Sequence, residues 1–91
     1  MEDTVLDIVM WAIVELFPTP DVEQKLSPEA DLREDLKLSD EEIVMICLKV
    51  ECHYQVELNN ELIHIPDSIM LGCKTVQDIS DSFEKLLSNE Q

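Results

Sequence analysis

The stretch that decides the fold is EDLKLSDEEIVM, residues 34–45, in which a short acidic loop meets a run of apolar residues. Ser39 is a good helix N-cap, because its side-chain oxygen can accept a hydrogen bond from a backbone N–H of the first turn. Ser39 and Glu42 also have the spacing of a capping box, and acidic residues stabilise a helix N-terminus. The stretch therefore predicts a helix that begins at Asp40.

This helix, the second of the chain, is predicted to end near His53. Its inner side is formed by apolar residues at helical spacing: Ile43, Val44, Ile46, Cys47, Val50 and Tyr54. The next run, VELNNELIHIPD at 56–67, has two β-prone segments around Asn59 and Asn60, and asparagine tolerates tight turns. This run predicts either a small hairpin or an irregular loop.

The N-terminal part predicts a first helix that begins at Asp3 or Thr4 and ends before Pro18. Its core face is formed by Val5, Ile8, Val9, Ala12, Ile13 and Leu16. A long loop follows, PTPDVEQKLSPEADLRED at 18–35. Three apolar residues of this loop, Val22, Leu26 and Leu32, predict that it folds against the helices.

The C-terminal part predicts a short third helix from Pro66 to Gly72 and a last helix capped by Thr75. The last helix has an apolar side formed by Val76, Ile79, Phe83 and Leu86. We therefore predict a single all-α domain over residues 1–91. It is a four-helix bundle with a long loop between the first two helices.

Composition excludes several functional classes. The net charge is −15, from 21 acidic and 6 basic residues, which disfavours nucleic acid and anionic membranes and favours a basic partner surface. The apolar run from Val5 to Phe17 is too short to cross a bilayer, and Asp7 and Glu15 interrupt it. An acidic N-terminus and an odd number of cysteines predict a cytoplasmic protein.

The acidic loop before the second helix has part of the spacing of a calcium-binding loop. Positions 1, 5, 9 and 12 would be Asp31, Asp35, Ser39 and Glu42. Positions 3 and 7 would be Arg33 and Lys37, and Leu36 stands where the sharp turn needs glycine. The spacing therefore predicts no calcium site, and we expect no metal.

Nucleophilic catalysis has little support in the sequence, because a catalytic cysteine or serine needs a positioned base. The only histidines, His53 and His64, lie in no recognisable motif. We expect Cys47 to fill the core and Cys52 and Cys73 to be more exposed. The sequence therefore predicts a protein that is not an enzyme.

The segment ADLREDLKLSDEEIVMICLKVECHYQVEL, residues 30–58, resembles acyl carrier proteins, in which EDLGxDSL opens the second helix. The similarity resumes at IPD, residues 65–67, and at TVQDI, residues 75–79. The resemblance implies an acidic four-helix bundle with a phosphopantetheine arm on the serine of the motif. It also implies a role in fatty-acid, polyketide or a specialised acyl transfer pathway, with partner enzymes that carry basic docking patches.

The attachment motif departs from this family. Aligned without a gap, LKLSD matches LGxDS, so that Ser39 stands at the family's Asp, Asp40 at its Ser and Glu41 at its Leu. A carboxylate cannot form the phosphodiester. A shift by one residue would align Ser39 with the attachment serine, but it would shorten the loop and place Lys49 at an inward position. We therefore favour loss of the arm, and keep phosphopantetheine on Ser39 as the alternative.

Two surfaces are candidates for partner binding. On the second helix Glu41, Glu42 and Glu51 remain from the family's acidic face, whereas Met45 and Lys49 occupy outward positions that are usually acidic or polar. This weakens the electrostatic attraction to basic patches without removing it.

On the first helix Met10, Trp11 and Val14 lie opposite the core face, since successive residues are rotated by ~100°. An exposed tryptophan with aliphatic neighbours is a candidate interface, either for a homodimer or for a dedicated partner. The alternatives are that an insertion within residues 57–63 covers these side chains, or that they are simply exposed.

Overall fold

The computed structural model describes residues 4–57 and 64–88. These ranges contain five helices, which are α1 (Val5–Leu16), α2 (Pro20–Lys25), α3 (Asp40–Glu57), α4 (Asp67–Gly72) and α5 (Val76–Ser88). The only β-type pairing in the described ranges is an isolated antiparallel bridge between Asp31 and Thr75. The prediction of an all-α protein is therefore confirmed.

Helix α1 begins and ends where the sequence predicts. The Asp7 N–H donates to Thr4 Oγ1 at 3.1 Å, and the Thr4 N–H donates to Asp7 Oδ2 at 3.3 Å. This reciprocal capping box satisfies two N–H groups that have no partner within the helix. The helix ends at Leu16, because Pro18 disfavours helical backbone at the residue before it.

Helix α2 is a correction to the predicted loop. Thr19 accepts the Val22 N–H at 3.3 Å, and Pro20 occupies the first helical position, where its missing N–H is no loss. The prolines indicated a loop, but a threonine followed by proline is also a helix start. The predicted packing of this region is confirmed, because Val22 and Leu32 are buried and Leu26 packs against the core.

Helix α3 is longer than predicted, because it continues past His53 to Glu57. The prediction that residues 56–57 belong to a β-prone run is therefore wrong. Asn59 and Asn60, with the rest of the proposed hairpin and the insertion up to residue 63, lie outside the described residues.

The core lies where α1 packs against both α3 and α5, with α4 packed on α3 and α2 on α1. Most predicted inner positions of α1, α3 and α5 are buried together with residues of the connecting loop, and Val5, Leu16, Val44 and Leu86 are half-buried against this core. The largest fully buried side chains are Phe83, Ile13, Leu32, Leu36, Ile43, Ile46, Ile65, Met70 and Ile79, with Val9 and Val22. This arrangement sets the N-terminus of α3 beside the end of α4.

Candidate functional site

The loop before α3 is held by its own carboxylates. Asp31 Oδ1 accepts the N–H groups of Glu34 at 2.8 Å and Arg33 at 2.9 Å, and Asp35 Oδ2 accepts the Asp31 N–H at 2.9 Å. The Glu34 N–H, followed by that of Arg33, lowers the pKa of the Asp31 carboxyl below its ordinary value of 3.8. These acids shape a turn.

The turn closes through Lys37, which has a φ of 59°. It is the one non-glycine residue with positive φ in the described ranges. This left-handed conformation is favoured by glycine and is strained for a residue with a Cβ atom. Lys37 thereby lies between Leu36 and Leu38, whose side chains are buried, and the chain continues from this turn to Ser39.

Ser39 is the N-cap of α3, as predicted. The Glu42 N–H donates to Ser39 Oγ at 3.3 Å, and the Ser39 N–H donates to Glu42 Oε1 at 2.8 Å. Both residues of the capping box therefore have a structural role. Glu42, predicted to face partners, is half-buried with one carboxylate oxygen engaged in this way, whereas Glu41 is exposed.

Asp40, at the first position of α3, forms an ion pair with Arg33. Arg33 Nη2 lies 2.8 Å and Nε lies 3.0 Å from Asp40 Oδ1. The same guanidinium donates to the Leu71 carbonyl at 3.2 Å and to the Cys73 carbonyl at 3.3 Å. These carbonyls belong to the end of α4, where carbonyl groups lack helical partners. Arg33 therefore joins the start of α3 to the end of α4.

The four residues that match the spacing of a calcium-binding loop use side-chain oxygen atoms in these contacts. Asp31 and Asp35 accept backbone N–H groups of the turn, and Ser39 and Glu42 cap α3. Across residues 4–57 and 64–88, no group of three or more histidine, cysteine, aspartate or glutamate side chains could hold a metal ion.

The cysteines occupy different environments. Cys47 is buried in the core as predicted, and burial raises the pKa of its thiol to about 12. Cys73 is also buried, so the prediction that it would be exposed is wrong, and burial raises the pKa of its thiol. A raised pKa disfavours the reactive thiolate. Only Cys52 is exposed.

The histidines contact side chains that do not activate a nucleophile. His53 lies between the rings of Trp11, with centroids 5.5 Å apart, and Tyr54, at 5.4 Å. His64 is exposed, and its Nδ1 lies 3.5 Å from the Glu51 carboxylate. These contacts suit a structural role for both residues.

Glu51 does not lie on an outward acidic face, and that prediction is wrong. Its side chain is buried, and its Oε2 accepts the Ile65 N–H at 2.7 Å. A buried carboxylate is tolerated when it is hydrogen-bonded. Glu51 thereby fastens the chain before α4 to the middle of α3, a contact that sequence spacing could not reveal.

Two of the three residues of the surface predicted on α1 are exposed. Trp11 is 43% exposed and Val14 39%, whereas Met10 is half-buried and packs against the core. Trp11 also contacts α3, since Lys49 Nζ lies 4.9 Å from the centroid of its ring. This is a cation–π distance, and it explains how a lysine at an outward position of α3 is accommodated.

The outward side of α3 exposes more apolar residues than the sequence analysis identified. Met45, predicted to face outward, is 47% exposed, and Leu48 is 48% and Val56 71% exposed. Together with Cys52 these residues follow one side of the helix. The signal that could have identified Leu48, Cys52 and Val56 is their spacing from Met45.

A second surface feature lies between α4 and α5. A cavity of about 380 Å³ is lined mainly by apolar residues, with Lys85 at its edge. Its lining comprises Ile65, Pro66, Ile69, Ser82, Lys85 and Leu86.

No protein-family model matches the chain, and neither a curated protein nor a solved structure shows significant similarity to it. Among the helices of the described ranges, none combines the length and the apolar character that a membrane span requires.

Proposed function

We propose that this protein is an acyl-carrier-like domain that has lost its phosphopantetheine arm and acts as a protein-interaction module, not as an enzyme. It would work in the cytoplasm in connection with fatty-acid, polyketide or a specialised acyl transfer pathway. The proposal combines the resemblance of residues 30–58 to acyl carrier proteins with the contacts at the start of α3.

The alignment without a gap is supported by Lys37. In this alignment Lys37 stands at the glycine of the motif EDLGxDSL, and its φ of 59° is the backbone conformation that favours glycine. The burial of Val50 and the outward position of Lys49 also agree with this alignment, because the shifted one places Lys49 inward.

The observation that carries loss of the arm is the ion pair of Asp40. In the alignment Asp40 replaces the attachment serine, and its carboxylate lies 2.8 Å from Arg33 Nη2. A carboxylate cannot form the phosphodiester, and this one contributes to the contact between α3 and α4. The position that would carry the arm therefore has a structural role instead.

The alternative function is a carrier with the arm on Ser39. It is supported by the exposure of Ser39 at the N-terminus of an 18-residue helix, where backbone N–H groups and the helix dipole stabilise a phosphate. Modification would have to replace the hydrogen bond from the Glu42 N–H to Ser39 Oγ.

The test is the intact mass after incubation with coenzyme A and a broad-specificity phosphopantetheinyl transferase, with a known carrier protein as positive control. We expect no mass gain on the natural chain and a gain of one arm on Asp40→Ser. A gain on the natural chain that Ser39→Ala abolishes would establish the alternative. If neither the natural chain nor Asp40→Ser gains mass while the control protein is modified, the alignment of Asp40 with the attachment serine loses its support.

A further inference from the structure

We propose that the outward side of α3, continued by Trp11 of α1, binds one amphipathic α-helix of another protein, and that this partner helix bears lysine or arginine beside its apolar stripe. The inference rests on the proposed function as an interaction module and names the chemistry of its partner. The surface, here called the outer seam, comprises Met45, Leu48, Cys52, Val56 and Trp11.

The outer seam has the spacing of a helix-packing surface. The steps along the sequence from Met45 to Leu48, then to Cys52 and then to Val56 are three, four and four positions. This spacing places the four residues along one side of α3. A partner helix that packs on such a row inserts its own side chains between them. The row from Met45 to Val56 spans about 16 Å, which suits about three turns of partner helix.

The outer seam forms an apolar side of α3, and the opposite side of this helix is already buried in the core. Ile43, Ile46 and Val50 are fully buried, while Leu48 remains 48% and Val56 71% exposed. Apolar side chains that are exposed together in one patch mark an interaction site. In the part of the chain that the structure describes, no element covers the outer seam.

Trp11 extends the seam onto α1. A surface cavity of about 160 Å³ is lined by Trp11, Lys49, Cys52, His53 and Val56, so the seam widens there into a shallow pocket. The Lys49 ammonium over the Trp11 ring and the His53 ring beside it fix the indole. A fixed, partly exposed tryptophan is a typical anchor of a protein interface, because little rotamer entropy remains to be lost on binding.

The charge of the residues around the outer seam indicates which kind of partner binds there. Exposed acidic residues bound the apolar positions along both helices: Asp7 and Glu15 lie four residues before and after Trp11, and Glu41 lies four residues before Met45. A second copy of the chain would bring another net charge of −15 to this surface. Repulsion therefore disfavours a homodimer and favours a helix with basic flanks.

The test uses a synthetic amphipathic leucine–lysine peptide of about 18 residues, which is long enough to form a helix. Trp11, the single tryptophan, reports binding by fluorescence. The controls are a scrambled peptide of the same composition and a leucine–glutamate version of the amphipathic peptide. We expect the amphipathic basic peptide to bind more tightly than its leucine–glutamate version at low ionic strength. We expect it to remain bound at high ionic strength, where attraction by exposed charges is screened and the scrambled peptide no longer binds.

Matched variants locate the binding surface. Met45 and Ile69 are both 47% exposed, but Ile69 lies on α4, where it lines the cavity toward α5 and not the pocket of the seam. We expect Met45→Glu and Leu48→Glu to weaken peptide binding by at least about tenfold, and Ile69→Glu to leave it within about twofold. All three add the same charge, so a difference between them reports apolar contact. Far-UV circular dichroism and thermal melting confirm that the variants are folded.

Three results of the peptide test would overturn the proposal: absence of binding, equal binding of the scrambled peptide, or equal effects of Met45→Glu and Ile69→Glu. A dimer in sedimentation that Leu48→Glu dissociates would identify a second copy as the occupant and would also overturn it. These failures are distinct from failure of the proposed function, which is read from the mass gain with coenzyme A.

Discussion

Helices α3 and α5 both pack against α1, but the residues exposed on their outer sides differ in polarity. On α5 Val76, Ile79 and Phe83 are buried, whereas Asp81, Glu84 and Lys85 are exposed. On α3 the exposed residues include Met45, Leu48 and Val56. The outer side of α5 is thus suited to water, while that of α3 leaves apolar area without cover. This contrast supports the proposal that α3 also binds a partner.

The largest expected effect is on the inner side of α5. Phe83→Ala should lower the free energy of unfolding by ~3–5 kcal/mol, because it opens a cavity at a fully buried position. Leu48→Ala, on the outer side of α3, should change it by no more than ~0.5 kcal/mol. Denaturant unfolding of both variants measures the difference. A comparable loss at Leu48 would show that the outer side of α3 is covered.

The buried carboxylate of α3 gives the next effect. Glu51→Ala should destabilise the protein by ~1–3 kcal/mol, because the Ile65 N–H would lose its acceptor in a buried place. Glu51→Gln keeps an acceptor oxygen and should lose less. Chemical denaturation of both variants measures the two effects. If alanine and glutamine are equally destabilising, the hydrogen bond to Ile65 is not the reason for the burial of Glu51.

The cap of α3 should have an intermediate effect. Ser39→Ala should lower the free energy of unfolding by ~1 kcal/mol, because the Glu42 N–H would lose its acceptor in the first turn. The thermal midpoint measures it, with Ser68→Ala in α4 as the control at another exposed serine. An unchanged midpoint for Ser39→Ala would contradict the capping role.

A substitution in the turn before α3 should increase the stability of the protein. Lys37→Gly should raise the free energy of unfolding by up to ~1 kcal/mol, because glycine adopts positive φ without steric strain. Lys37→Ala removes the same charge and keeps the Cβ atom, and should give little or no gain. A loss of stability in the glycine variant would contradict the left-handed conformation and, with it, the aligned motif.

The cap of α5 should give the smallest effect, and it depends on pH. The N–H groups of Lys74, at 2.9 Å, and of Thr75, at 3.1 Å, donate to Asp78 Oδ2 and lower the pKa of this carboxyl below 3.8. A lowered pKa stabilises the folded state above 3.8, and this contribution is lost as the pH falls through the folded value.

Asp78→Asn should therefore be less stable than the natural protein at near-neutral pH, and the difference should shrink at a pH well below 3.8. Urea unfolding at the two pH values measures it. Asp81→Asn, on the exposed side of α5, removes the same charge and is the control. A difference for Asp78→Asn that is constant over this range would contradict the lowered pKa.

Local chemistry made the starts of three helices predictable. Thr4, Ser39 and Thr75 each cap the helix that follows, because a cap involves residues only three positions apart. The missed helix α2 also has a local signal, in Thr19 followed by Pro20. The end of α3 was mispredicted because β-prone residues such as Val56 are also compatible with a helix when the preceding turns already form one.

The candidate site was predictable only in part. Helical rotation predicts that Trp11 faces outward, and the resemblance to acyl carrier proteins predicts the same of Met45; both are exposed. Arg33 was considered only as a cation within an acidic loop, because its carbonyl partners at Leu71 and Cys73 lie far along the chain. Burial of Cys73 depends in the same way on how α4 and α5 pack.

The sequence by itself therefore determined the all-α class and the capped starts of α1, α3 and α5. Each of these depends on residue identity or on neighbours within one turn. Tertiary structure alone decided that Glu51 is buried against the Ile65 N–H and that Arg33 joins α3 to α4. The reason is physical: these contacts join groups that only the packing of α4 on α3 brings within hydrogen-bond distance.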